Sequence, residues 1–129
     1  MQRRVIQPSS LKDSRPRYSQ GVVTEGGRLL FISGQTAADE SGRVVGKGDI
    51  QAQAERVFEN LGAVLAEAGG SFDNLVMTTT YLTDISYRDA YNAVRLRYYR
   101  NSQPTSTLLV VKALGHGDFL IEIDGIAVI

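Results

Sequence analysis

Between residues 50 and 68 the apolar positions change period, and this stretch constrains everything packed around it. Ile50, Ala54, Val57, Phe58, Leu61, Val64, Leu65 and Ala68 recur at spacings of three and four, so in a helix they form one continuous stripe. Gln51, Glu55, Glu59 and Glu67 fall on the opposite side. Asp49 is placed to cap the first free backbone N–H groups, and Gly69 to stop the helix. A stripe this wide must cover a matching apolar surface, and the flanking sequence offers strands to supply it.

Upstream, extended segments alternate with turn signals. Residues 19–24 and 28–33, joined by Gly26-Gly27, predict a β-hairpin. A second turn at Asp39-Glu40-Ser41-Gly42 returns through Val44-Val45. Downstream, residues 75–82 are β-branched and aromatic and predict a strand without a strongly polar face. Strict alternation puts Leu75, Met77 and Tyr81 on one side and Val76, Thr78, Thr80 and Leu82 on the other. Both sides call for cover, one from helices and the other from a partner subunit.

Ser86 and Asp89 read as a capping box for a second helix with apolar positions Tyr87, Tyr91, Val94 and Tyr98, an aromatic stripe that belongs in a core. After Pro104, residues 107–113 and 119–129 read as strands separated by the glycine-flanked His116 turn. The order predicts an α+β fold for residues 1–129 as one domain, with two helices on one face of a single sheet.

Composition narrows the chemistry. The 129 residues contain no cysteine, which removes thiolate nucleophiles, disulfides and cysteine-bound zinc. The one histidine, His116, sits in a turn-like Gly115-His116-Gly117 and reads as solvated. No metal is expected. Walker, Gly-x-Gly-x-x-Gly and Gly-x-Ser-x-Gly motifs are missing, so no organic cofactor is expected either. Fourteen basic and fourteen acidic residues balance, which speaks against nucleic acid as partner. Arg3, Arg4, Arg15 and Arg17 read as solvated surface. No apolar run approaches the ~20 residues of a membrane span, and the opening MQRRVIQPSS lacks the apolar core of a signal peptide, so the expected location is cytoplasmic.

Three polar segments are candidates for ligand chemistry. At Ser33-Gly34-Gln35 an apolar strand meets a glycine that allows close backbone approach, though a plain strand end would carry the same residues. Glu122 and Asp124 project on one face of the last strand, where two carboxylates raise each other's pKa or stand in solvent. Gln103-Pro104-Thr105-Ser106-Thr107 presents three hydroxyls but no charged fork for a carboxylate.

Together these segments resemble the RidA family, also called the YjgF/UK114 family, over nearly the whole chain. The resemblance rests on Tyr18-Ser19-Gln20, Leu30-Phe31-Ile32-Ser33-Gly34-Gln35, Asn60-Leu61, Tyr81-Leu82-Thr83-Asp84, Asn92, Ile121-Glu122-Ile123 and Ile126-Ala127-Val128. It implies a chorismate-mutase-like fold, a homotrimer with small-molecule clefts between subunits, and cofactor-free hydrolysis of imines or enamines to ketones and ammonia. Tyr18, Ser33, Gly34, Asn92 and Glu122 would lie in the cleft, with Glu122 activating water and Tyr18 shaping the pocket as a second catalytic group. A non-catalytic metabolite- or partner-binding trimer is the main alternative, and ribonuclease activity, described for some relatives, is less expected.

One position departs from the deaminase branch. Where that branch carries the arginine of a Pro-x-Arg-Ser pattern, which pairs with the substrate carboxylate, this chain has Ser106. A charged hydrogen bond contributes about 1.5–3 kcal/mol, so its loss costs roughly tenfold to a hundredfold in binding. The expected substrate is therefore not the usual short 2-imino acid. Arg17 is expected to point away from Tyr18, and Arg95, Arg97 and Arg100 to cover the outside of the second helix, leaving none to substitute.

Overall fold

A computed structural model describes residues 1–100 and 102–129. Strands β1 (Gln2–Ile6) and β2 (Gly21–Glu25) form an antiparallel two-stranded ribbon. Strands β3 (Leu29–Gln35), β4 (Leu75–Leu82), β5 (Thr105–Val110) and β6 (Ile121–Val128) form a mixed sheet in the order β3-β6-β4-β5. Among the described residues only β4 and β5 run parallel, because the connection between them carries a helix. That helix, α2 (Arg88–Tyr99), lies beside α1 (Ile50–Glu67), and both cover the same sheet face. Among the described residues, no helix is long and apolar enough to cross a membrane.

The helix stripe behaves as its spacing predicts. The Asp49 carboxylate accepts from Ala52 N–H at 3.0 Å, and Gly69 takes the left-handed conformation just past the helix end, with φ of 85°. Ala54, Val57, Phe58, Leu61 and Leu65 are fully buried against Leu82, Ile121, Ile123 and Ala127 of the sheet. The tyrosines of α2 complete this core. Phe58 stacks on Tyr98 at 5.1 Å between centroids and meets Tyr99 edge-on at 5.4 Å. The buried Thr80 hydroxyl donates to the Tyr91 hydroxyl at 2.8 Å, so both polar ends are paired inside.

Several local expectations are corrected. Gly26 and Gly27 do adopt positive φ, but the strands they join part company: β2 pairs with β1, a strand absent from the sequence reading, and β3 pairs with β6. Leu30 and Ile32 are drawn under the helices, and β2 is not. Leu75 joins the buried face with Thr78, Thr80 and Leu82, since a register shift between Leu75 and Met77 breaks the alternation. Ser86 does not cap α2. Asp84 instead accepts from Ser86 N–H at 2.8 Å and starts a 3-10 turn, Ile85–Tyr87, that runs directly into the helix. Strand β5 begins before residue 107 and ends before residue 113, as Thr105 and Ser106 are already paired with β4. Arg3 is not solvated either: its guanidinium donates to the carbonyls of Asp73, Leu75 and Gln103.

Gln53 shows how α1 fixes the loops around it. Fully buried, it donates to the carbonyls of Gly46 and Asp118 and accepts from Leu120 N–H at 2.8 Å. Gln53→Leu should therefore lower stability by about 1–3 kcal/mol, because buried backbone groups lose their partner. The midpoint of urea unfolding should fall at constant slope.

Candidate functional site

The sequence-predicted residues fall into two groups. The first lies on the sheet face turned away from the helices. Glu122 stands opposite Tyr81 on β4, and Asp124 opposite Thr79. Beside them Ile32 pairs with Gly125 and Gln35 with Ile123, so Ser33 and Gly34 together oppose the single residue Asp124. This is a β-bulge inside the strand, not a strand end, and bulges re-aim neighbouring side chains. The Glu122 side chain lies across Gly34 so closely that a Cβ at position 34 would sit 2.7 Å from Glu122 Cδ. Partial burial raises the Glu122 pKa above the ordinary glutamate value, and the neighbouring Asp124 charge adds to the rise. The Tyr81 hydroxyl donates to Asp124 at 3.1 Å, which pushes the phenol's pKa up.

The second group lines a cleft of about 410 Å³ at the β5 edge, on the helix side, a volume in the ~300–1,000 Å³ range of small-molecule sites. Tyr18, Asn92 and Ser106 all line it. Ser106 faces this way because it is aligned with the buried Thr78. The loop carrying Tyr18 is held by Ser14 Oγ, which donates to the Tyr18 carbonyl at 2.6 Å, and by Ser19 Oγ, which donates to the Gln103 carbonyl at 2.6 Å. A wider hollow of about 610 Å³ near Phe72 and Tyr98 contains none of the predicted residues.

Two arginine expectations are overturned here. Arg95 does not cover the outside of α2; only 5% exposed, it reaches toward β5 with Nη1 a long 3.5 Å from Ser106 Oγ. Arg17 lines the same cleft as Tyr18, because residues 14–17 form a turn closed by Arg17 N–H to the Ser14 carbonyl at 2.8 Å and the segment is not extended. Arg97 and Arg100 do lie on the surface, Arg97 paired with Glu55. Sequence reasoning missed Arg95 although a signal existed: positions 91, 94, 95 and 98 share one helical face, and Tyr91, Val94 and Tyr98 are all read as core.

The structure thus brings Ser33, Gly34 and Glu122 together, and separately Tyr18, Asn92 and Ser106 with Arg95. Within one chain Glu122 and Ser106 project from opposite faces of the sheet. His116 stays in its exposed turn, its Nδ1 accepting from Asp118 N–H at 3.0 Å. Among the described residues no three acidic or histidine side chains converge as a metal-binding group.

Comparison with known proteins gives this arrangement a setting. The family model described as Endoribonuclease L-PSP matches residues 10–129. Protein DfrA of Myxococcus xanthus is 39% identical over 130 residues, covering 98% of both chains. The human 2-iminobutanoate/2-iminopropanoate deaminase is 32% identical over 126 residues, 98% of this chain and 90% of its own. Among solved structures, YyfB of Yersinia pestis, a protein of the conserved Rid family, matches with a TM-score of 0.92 and 33% identity over 100% of both chains. With family model, sequence relatives and fold in agreement over nearly the full length, this chain belongs to the RidA family.

Proposed function

We propose that this protein hydrolyses a small imine or enamine to the corresponding ketone and ammonia, in a cleft completed between subunits of a homotrimer. The observation that carries the reading is the Glu122 carboxylate laid across Gly34 with a raised pKa. Ionised Glu122 takes a proton from water as the water oxygen bonds to the imine carbon. The protonated carboxyl returns that proton to nitrogen, giving a carbinolamine; Glu122 then takes the hydroxyl proton and passes it to the amino nitrogen as the C–N bond breaks, so that the carbonyl forms and ammonia leaves. An enamine enters the same sequence after protonation at carbon. The deaminase named among the relatives supports this class of reaction.

Assembly supplies what one chain lacks. Glu122 and the Tyr18–Asn92–Ser106 cleft lie on opposite sheet faces, and β5 is an edge strand, so a second subunit's Glu122 face placed against that edge unites the two groups. The same face exposes Leu29 (64%), Phe31 (71%) and Met77 (47%), apolar area that a neighbouring copy would cover. Phe31→Glu should convert the trimer to monomers in analytical ultracentrifugation, and a trimer that persists would place the interface elsewhere.

Imines generated in situ by an amino-acid oxidase, with ammonia release as readout, test the reaction. Glu122→Gln should lower turnover by about a hundredfold or more, and an unchanged rate would remove Glu122 from the mechanism. Because the base must be ionised, turnover should fall as pH drops through the raised Glu122 pKa, placing the acid limb above the ordinary glutamate value. Ser106 favours a substrate other than short 2-imino acids, and ligand binding without turnover on any imine would point instead to a metabolite-binding trimer.

A further inference from the structure

The cleft beside Ser106 carries a charge imbalance that the hydrolytic chemistry does not use. Lys12, Arg15, Arg17, Arg88 and Arg95 line it, and the one carboxylate among its lining residues, Asp13, is already held by Arg15 at 2.9 Å. Arg95 is the unusual member. It is 95% buried by its 5% exposure, its Nε has no hydrogen-bond partner, and among the described residues no carboxylate pairs with it. The Tyr91 ring lies 5.5 Å from its guanidinium carbon, and the Ser106 hydroxyl lies 3.5 Å from Nη1. A guanidinium stays charged at any ordinary pH, and a buried one is costly unless an anion meets it.

Spacing then decides what kind of anion. Arg88 and Arg95 are seven residues apart on α2, two turns along one face, so their backbones are separated by about 10 Å at 1.5 Å per residue. Asn92 lies between them, and Arg17 joins both arginines around an adjoining hollow in which the exposed Asp89 is the one carboxylate against three arginines. Cations distributed along a cleft in this way suit a molecule with acidic groups at both ends better than one compact anion. Ser106 and Arg95 both border the cleft.

We infer that the cleft binds a ligand with two carboxylates, such as the imine of a dicarboxylic amino acid, with Arg95 holding one and Arg88 with Arg17 the other. The arginine missing from β5 is thereby replaced by one delivered from α2. The inference deepens the imine-hydrolase reading by naming its substrate class, and equilibrium binding tests it separately from turnover.

Isothermal calorimetry on the intact oligomer, with 2-oxoglutarate and 2-oxobutanoate as unreactive product-like probes and inorganic phosphate as control, gives the test. The dicarboxylate should bind at least tenfold more tightly than the monocarboxylate. Arg95→Gln should weaken both by tenfold or more, while Arg88→Gln should erase the preference and leave 2-oxobutanoate unaffected. Arg88 is exposed, so its variant remains informative if the buried Arg95 variant fails to fold. Equal affinity for the two keto acids, phosphate binding as tight as 2-oxoglutarate, or a preference that survives Arg88→Gln would each overturn the inference. A dicarboxylate preference without imine turnover would sink the hydrolase reading alone.

Discussion

Gly34→Val is expected to reduce turnover by about two to four orders of magnitude, the range associated with losing a general base, without unfolding the protein. The cause is steric. A Cβ at residue 34 already lies 2.7 Å from Glu122 Cδ, and the two methyl groups of valine extend into the same space. Glu122 must swing away, and the valine then occupies the space where its carboxylate lay, which takes the proposed base out of position. The backbone itself does not demand glycine, because Gly34 is not among the residues with positive φ. The position is exposed within one chain and the displaced atoms are the far end of a flexible side chain, so chain stability should fall by no more than about 1 kcal/mol. Ammonia release, thermal melting and sedimentation on one preparation distinguish the outcomes. A silent enzyme with melting lowered only slightly and unchanged assembly is the expected result, and retained turnover would show that Glu122 need not rest against Gly34.

The second large effect concerns stability. Phe58→Ala should cost about 3–5 kcal/mol, as for other large aromatic truncations in cores. Phe58 is completely buried, and its ring meets Phe72, Tyr91, Tyr98 and Tyr99 at centroid distances from 5.1 to 6.4 Å. The tyrosine ring planes cannot all close on the void, since Tyr91 is tied to Thr80 through its hydroxyl. Against a typical total of about 5–15 kcal/mol, the loss consumes a large share of the folding free energy. Urea unfolding should be followed at fixed protein concentration, because the proposed assembly would add to apparent stability by mass action. Since α2 rests on these rings, the variant should also bind 2-oxoglutarate less tightly at temperatures where it remains folded.

What the sequence made legible follows the range of the interaction. The α1 stripe, its Asp49 cap and its Gly69 stop depend on residues within one turn, and all three are found. Partner choice between strands depends on distant residues, and there the hairpin expectation failed: nothing local to Gly26-Gly27 reveals that β1 competes for β2 while α1 and β6 draw in β3. The Ser33-Gly34 glycine was recognised as a point of close approach, but its role as a bulge depends on the register of β6. Arg95 was obscured for a different reason. Its charge argued for the surface, whereas its place beside Tyr91 and Val94 argued for the interior, and the interior prevails because the cleft provides an opening for the guanidinium.

Residues 7–20 leave β1 and return to β2, so the pairing of those two strands clasps both ends of the loop. Arg3 and Ser19 fasten the same clasp to the Gln103 carbonyl, just before β5. Lys12, Arg15, Arg17 and Tyr18 are therefore mounted on a loop fixed at both ends by the ribbon, with Ser14 tying its interior to the Tyr18 carbonyl. Because its ends are fixed, changes within the loop that keep Ser14 should leave the sheet and the Glu122 face undisturbed, as unchanged urea unfolding would show. Grafting residues 10–18 from a relative with a different ligand offers a direct route to reprogramming the cleft.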